Sequence, residues 1–392
     1  MIKIKGKRNT ATVFADKIDR ASKTQIASLL REEAYSDCRI RIMPDVHSGR
    51  GVAVGTTMTL SGRVNPALIG VDIGCGMEVI FLENRFVNLS ELDNAIHSLI
   101  PCGAKIHAVP KASFDFNRLL CKESVDTERA LLSLGTLGGG NHFIELDITS
   151  NGGLVLVIHS GSRQLGSDVA AYYQDQAYRY QCKRLRKSTR QSYYEARNDE
   201  FHRDARKKDL SRSVDIKRED AILEGALFKS YLNDLKEVTD FADKNRKTIA
   251  EIICCAMDLK VKERFSSVHN YIDTEHMILR KGAISARRDE RVIIPLNMRD
   301  GAIFGVGLGN PDWNFSAPHG AGRICSRTEA KFNFTLEEYR HEMTGIYTTT
   351  AEIGSIDECP MAYKPPERII DAIGETVDIE QIIKPIYNFK AC

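Results

Sequence analysis

No stretch of this sequence approaches the roughly 18 uninterrupted apolar residues that a membrane-spanning helix needs. The opening MIKIKGKRNT also lacks the apolar centre of a secretory signal. Both absences point to the cytosol. Ten cysteines include the adjacent pair Cys254 and Cys255 but no CxxC spacing, so structural zinc and disulfide staples have little support and reduced thiols are expected. There is no GxxxxGK[ST] loop, which argues against a P-loop nucleotide site. The tripeptide KID at 17–19 is followed by Arg20, not by the glycine of the KxDG box of lysine-adenylating ligases. HEMTG at 341–345 is not HExxH, so the zinc-protease helix is missing too. Internal repeats, low-complexity tracts and an obvious linker are likewise lacking.

What remains is a chain of 392 residues, 42% hydrophobic and 28% charged, which describes a soluble globular protein and excludes wholesale disorder. The formal charge is only +2, yet residues 178–218 hold fourteen Lys or Arg against six Asp or Glu. That segment has no Gly or Pro and reads as long polar helices carrying Tyr178, Tyr180, Tyr193 and Tyr194. Basic helices with aromatics suit an RNA backbone, and Lys183, Arg184, Arg186 and Lys187 are the candidate phosphate contacts. A solvated hairpin whose charges face water explains the same composition.

Short strand-like runs and a helix near 24–34 open the chain, and RIMPDVHSGRGVAVGTTM then reads as strand, loop, strand. VNPALIGVDIGCGMEVIFL at 64–82 reads as buried strands broken by a tight polar turn at 72–76, with a helix to follow at 90–99. LLSLGTLGGGNHFIELDI and GGLVLVIHSGSRQLGS each set an apolar run against a glycine loop, carrying His142 and His159. Strands and helices alternate without a regular βαβ period. The expectation is therefore an α+β chain, a single mixed α/β domain over 1–392 with a mainly helical insertion at 168–259, and not a doubly wound sheet.

Asp72, Cys75, His142, His159 and His319 stand at or beside glycine-rich bends, and His269, in VHNY, completes the set of candidate ligands. Asp72 and Cys75, three apart on a tight turn, can turn a carboxylate and a thiolate toward one cation. Carboxylate, thiolate and imidazole together suit Mn²⁺, Zn²⁺ or Fe²⁺ better than Mg²⁺ or Ca²⁺. Taken singly, Cys75 is equally well a small buried hydrophobe and each histidine a satisfied core residue. Recurrence of the loop-plus-histidine pattern four times favours a metal centre.

In order, MPDVHSGRGVAVGT, GVDIGCGM, GTLGGGNHFIEL, HSGSRQLG, VHNY, HGAGRICSR and Lys390 resemble the motifs of the RtcB family of GTP-dependent RNA ligases, over residues 43–390. The resemblance implies a mixed α/β fold with glycine-rich active-site loops. It implies RNA repair or tRNA splicing in the cytoplasm: RNA ends bearing a 2′,3′-cyclic phosphate or 3′-phosphate are joined to 5′-hydroxyl ends, with GTP as co-substrate and two Mn²⁺ ions. It makes Asp72, Cys75, His142, His159 and His269 the metal ligands, with Cys75 placed to bridge, and His319 the nucleophile that carries GMP. Asn141 would meet the α-phosphate. Glu145, Tyr363 and Lys390 would line the guanosine pocket, and His319, Gly320, Ala321, Gly322 and Arg323 would contact the ribose. Asp45 and His47 lie in a family block as well, with a structural role left open.

This chain departs from the family pattern in three places. Asn297, in IPLNMRDG, replaces a serine expected near the guanine; Gln164 replaces a glycine; and two residues follow Lys390 where a single terminal glycine is usual. These changes point to a divergent branch, specialised for one damaged RNA. Two other readings stay open. One is a metal-dependent cyclic phosphodiesterase or nucleotidyl hydrolase that acts on RNA ends without sealing them, against which the intact HGAGR loop stands. The other is a non-catalytic RNA-binding component, against which the full ligand set stands.

Overall fold

A computed structural model describes residues 1–187 and 216–391 in full and the backbone of 188–196. Two sheets carry the fold. The larger has seven strands, in the order Val261–Val268, Gly76–Leu82, Leu154–Ser160, Phe143–Ile148, Val377–Lys390, Gly301–Gly307 and Arg291–Asn297, with every neighbouring pair antiparallel. The smaller has six strands, in the order Ile2–Lys5, Thr10–Val13, Ile40–His47, Val54–Thr59, Ile278–Lys281 and Asn270–Asp273. Only its Thr10–Val13 and Ile40–His47 strands run parallel. Ala283–Ser285 pairs with Ser316–Pro318 in a short ribbon between them.

Period-two alternation decides which face each strand buries. From Phe143–Ile148, Ile144 and Leu146 face a core shared with Leu92, Ile96, Ile249 and Ile253 of the helices Leu89–Leu99 and Gly225–Ala256. Phe143 faces the opposite core, where Met77, Val79, Val155 and Val157 meet Ile293, Ala302 and Ile383 from the far strands of the same sheet. The sheet therefore curls over on itself. The six-stranded sheet shares a third core with the helices Arg20–Leu29, Arg163–Ala196 and Gly225–Ala256.

The mixed α/β fold is the one expected, with local differences that have local causes. The first helix runs Arg20–Leu29, earlier than 24–34, because Asp19 caps it by accepting from the Ser22 N–H. VNPALI does not extend into a long strand. Asn65 accepts from the Ala67 N–H and Pro66 sets φ, so a two-residue strand gives way to a 3₁₀ turn at Pro66–Leu68. The C-terminal tail forms Val377–Lys390, an interior strand of the larger sheet. Among the expected helices of the basic segment, the backbone is helical through Ala196 and 3₁₀ at Arg218–Asp220. Residues 197–215, which hold much of its charge, and the side chains of Tyr193 and Tyr194 lie outside the described residues.

Candidate metal centre and adjoining pocket

Antiparallel register brings the ligands to one end of the larger sheet. His159 lies opposite both Met77 and Phe143, which places it beside Cys75 and His142, each a residue or two before its strand begins. His269 is the single residue between a strand of the seven-stranded sheet, ending at Val268, and one of the six-stranded sheet, starting at Asn270. Its N–H donates to the Cys75 carbonyl at 2.9 Å. Two sets of donor atoms result, Cys75, His159 and His269 in one and Asp72, Cys75 and His142 in the other, each within 4.8 Å. Cys75 belongs to both. Gly161 is required here: a Cβ on it would stand 1.9 Å from Asp72 Oδ1.

Several features of this cluster fit a cation. His159 Nδ1 faces the Asn141 carbonyl at 3.2 Å, so that ring places its proton there and leaves Nε2 as a lone pair, while His142 spans the Leu137 carbonyl, 2.8 Å from Nδ1, and the Asp72 carboxyl, 3.1 Å from Nε2. His159 Nε2 and His269 Nε2 then stand 3.4 Å apart, and burial holds both rings neutral. His269 Nδ1 has no partner among the described residues, so its Nε2 can carry the proton and donate to His159 or, with the proton on Nδ1, join His159 as a ligand. Sγ of Cys75 lies 3.3 Å from His159 Nε2 and 3.5 Å from His142 Nε2. Burial works against ionisation of Asp72, but the His142 contact at 3.1 Å holds its carboxyl down at about 2. Burial, with the Asp72 carboxylate next to it, pushes the Cys75 thiol well up. A cation shared by the two would reverse that direction and deprotonate the thiol.

His319 follows the short strand Ser316–Pro318 and is fixed from below by Asp45, fully buried on Ile40–His47. Asp45 Oδ2 accepts from His319 Nδ1 at 2.7 Å and from the His319 N–H at 3.2 Å. The imidazole proton is thereby held on Nδ1, and Nε2 is left free. The ring centre lies 4.8 Å from that of His269, so the metal cluster and the free nitrogen are neighbours. His47 is stacked 6.4 Å from His319, and burial lowers its pKa to about 4. Gly322, at φ +75°, packs so closely on the Asp45 carbonyl that a Cβ would sit 2.1 Å from it.

A cavity of about 750 Å³ opens beside His319, large enough for a nucleotide. Asn141, Glu145, Asn297, His319, Gly320, Ala321, Gly322, Arg323, Tyr363 and Lys390 all line it. Phe143 forms part of the wall, with Lys390 Nζ 5.2 Å from its ring centre. Asn297 is engaged by its own loop: its amide donates to Asp300 at 2.7 Å, and its oxygen accepts from the Arg299 and Asp300 N–H groups. Its oxygen and one of its two amide protons are spent within the loop, so a single N–H is left to face the cavity where a serine hydroxyl is expected.

Glu358 escapes sequence reasoning, and Arg327, the last residue of the HGAGRICSR block, is given no role by it. Glu358 is 2% exposed in the cavity wall and accepts from Arg323 at 3.1 Å, Arg327 at 2.9 Å, Lys390 at 3.2 Å and the Tyr363 hydroxyl at 2.5 Å. Burial alone would raise its carboxyl; Lys390 and Arg327 together hold it at about 2. No glycine bend marks IDECP, and every cation that Glu358 gathers except Arg323 lies outside the HGAGR motif. Asp45 is visible in MPDVH, but its partner stands 274 positions away.

The four basic candidates cluster on Arg163–Ala196, whose first half is buried through Leu165, Val169, Tyr173 and Ala177. Lys183, Arg184, Arg186 and Lys187 are exposed. Arg184 is not free, since its guanidinium pairs with Glu224.

A mixed α/β fold in which thiol, carboxylate and imidazole groups converge beside a nucleotide-sized cavity has the make-up of an enzyme with a candidate metal centre. The family is narrower. This chain belongs to the RtcB family of RNA ligases: the family model described as tRNA-splicing ligase RtcB matches residues 30–125 and 119–391. Over 386 residues the chain is 30% identical to the RNA-splicing ligase RtcB of Escherichia coli (strain K12), covering 90% of both chains. It is 23% identical to the tRNA-splicing ligase RtcB of Pyrobaculum aerophilum over 88% of this chain and 85% of that one. With the Nanoarchaeum equitans protein of the same name the identity is 24%, over 85% and 84%.

Proposed function

We propose that this RNA ligase seals 2′,3′-cyclic-phosphate or 3′-phosphate RNA ends to 5′-hydroxyl ends through GMP carried on His319, with GTP as co-substrate and two Mn²⁺ ions as cofactors. The observation that carries the reading is the Asp45–His319 pair, which engages Nδ1 and makes Nε2 the nitrogen available to attack, on a ring that lies beside His269 and lines the cavity. His319 Nε2 attacks the α-phosphorus of GTP; an N–P bond forms, and the bond to the departing pyrophosphate breaks. The RNA 3′-phosphate then takes GMP from His319, and the 5′-hydroxyl attacks that activated phosphate with GMP leaving. A cyclic end is first opened by water to a 3′-phosphate. Asp72, Cys75, His142, His159 and His269 would hold the metal, which when bound neutralises charge on the phosphate oxygens and the leaving pyrophosphate.

Asp45 keeps the ring oriented and accepts no proton itself. Asn141, beside the metal-binding His142, would meet the α-phosphate, while the HGAGR loop would hold the ribose and Tyr363 would line the guanosine pocket. Glu145 and Lys390 bound the base end, with Asn297 at the rim. Lys183, Arg186 and Lys187 would grip RNA phosphates along the exposed half of their helix, with Arg184 contributing once released from Glu224. Because Cys75 must be a reduced thiol to serve as a ligand, the cytoplasm is the expected setting. Incubation with α-labelled GTP and Mn²⁺ tests the reading. Acid-labile label retained on the protein supports it, whereas turnover of RNA ends without any labelled protein would establish the hydrolase instead.

A further inference from the structure

Behind the cavity, the strand Phe143–Ile148 carries two carboxyls on the face that otherwise packs into an apolar core. Glu145 and Asp147 are two residues apart and project to the same side. Glu145 is 3% exposed and reaches the cavity; Asp147 is 0% exposed and does not. Asn388, opposite Glu145 on the next strand, donates to Glu145 Oε2 at 2.5 Å. Asp147 has no such donor, since neither of its oxygens has a hydrogen-bond partner among the described residues. Its cross-strand neighbours are Val155 on one side and Pro385 on the other, and Pro385 has no N–H to give. Among the described residues, the polar group that bears on Asp147 is the Glu145 carboxyl.

Two buried carboxyls in contact cannot both be charged without a large penalty, so the pair keeps a proton between them. We propose that Asp147 is a specificity-determining positioning residue: as a neutral acid it donates its proton to the Glu145 carboxylate and fixes that carboxylate to accept N–H donors from a guanine base. The inference deepens the guanosine pocket proposed above and rests on it. Guanine offers two adjacent donors, N1–H and the exocyclic amine, which a carboxylate accepts together; adenine presents a lone pair at N1 and meets the same oxygens unfavourably. The directions agree with this division: burial, with the Glu145 charge beside it, pushes Asp147 well up, while burial raises Glu145 against the pull of Asn388 and Lys390. Lys390 is the charged group whose field reaches Glu145, and it favours the ionised form; the strand on the other side offers only Val155 and Val157. With Asn297 tied into its own loop, this pair takes over discrimination from the missing serine.

GMP and AMP, titrated in the absence of divalent metal so that no transfer occurs, test the proposal. The wild type should prefer GMP, and GMP affinity should fall as the pH drops through about 7 and Glu145 takes up a proton. Asp147→Leu, isosteric and unable to donate, should lose about tenfold in GMP affinity at neutral pH and move that midpoint upward. AMP binding and thermal stability should hold or improve, because an apolar side chain suits this face. Asp147→Ala removes the same donor with less bulk and should behave alike toward GMP, whereas Asp147→Asn, which still donates, should keep the preference. Donor-less variants with wild-type selectivity and an unmoved midpoint would overturn the proposal, as would loss of selectivity in Asp147→Asn. A wild type that binds GMP and AMP equally would overturn the guanosine pocket, and this proposal with it.

Discussion

Imidazole attacks through a nitrogen only when that nitrogen carries no proton, so the contribution of Asp45 lies in where it places the proton of His319. Asp45→Asn keeps the shape but offers an N–H to Nδ1, which drives the proton onto Nε2 and removes the nucleophilic lone pair. Transfer of label from α-labelled GTP to the protein should slow by about 10³-fold or more under single-turnover conditions, with bound metal unchanged. A rate within a few fold of wild type would return Asp45 to a purely structural role. Cys75 makes the complementary case. It is the one donor shared by both sets, and a serine hydroxyl is a far weaker anionic ligand than a thiolate. Elemental analysis of Cys75→Ser after dialysis should show Mn²⁺ content and guanylylation falling together; full metal content would make Cys75 a core residue only.

Glu358 ties together the loop at Arg323, the helix Arg327–Asn333, Tyr363 and the final strand at Lys390. A buried carboxyl held at about 2 and not 4.5 contributes roughly 3 kcal/mol at neutral pH. The sign follows from the depressed value: the contribution is fully present above about 4.5 and fades as the pH falls toward 2. Glu358→Gln should therefore lower unfolding free energy by roughly 3 kcal/mol in urea at pH 7, and the gap should narrow progressively below about pH 4.5. A difference independent of pH would mean that packing, and not charge, joins these elements. The basic helix poses a separate question, because Lys183, Arg186 and Lys187 are exposed. Neutralising Lys183, Arg184, Arg186 and Lys187 should flatten the salt dependence of RNA binding by about 0.7 in log–log slope for each phosphate no longer gripped. Arg184 is already paired with Glu224, so three phosphates are the better expectation. Guanylylation should barely move, and added RNA should restore sealing; an unaltered slope supports a solvated surface.

Across the whole molecule, what is legible in the sequence is what glycine punctuates. Asp72, Cys75, His142 and His159 sit at or beside glycine bends, and bends are local, whereas His269 joins two strands with no glycine near it. Their convergence is not local: His269 reaches Cys75 only because one strand ends in the larger sheet and the next begins in the smaller one. Glu358 and Asp147 are invisible in the sequence for the same reason, each acquiring its meaning from strands far away along the chain. The separation of parts also sets up the sharpest division of labour. The metal donors lie at the end of the seven-stranded sheet, while His319 is held by Asp45 of the six-stranded sheet and reaches the centre from the opposite side. His319 is needed to take GMP from GTP, yet once GMP stands on the RNA 3′-phosphate the histidine has finished its covalent task. His319→Ala should thus abolish labelling of the protein while largely preserving the sealing of RNA supplied with a guanylylated 3′-phosphate, measured as joined product at saturating Mn²⁺. The five metal donors are untouched by this substitution, so the last displacement keeps its charge stabilisation. Equal loss of both steps would show that His319 serves the metal centre or the RNA and not as the carrier of GMP.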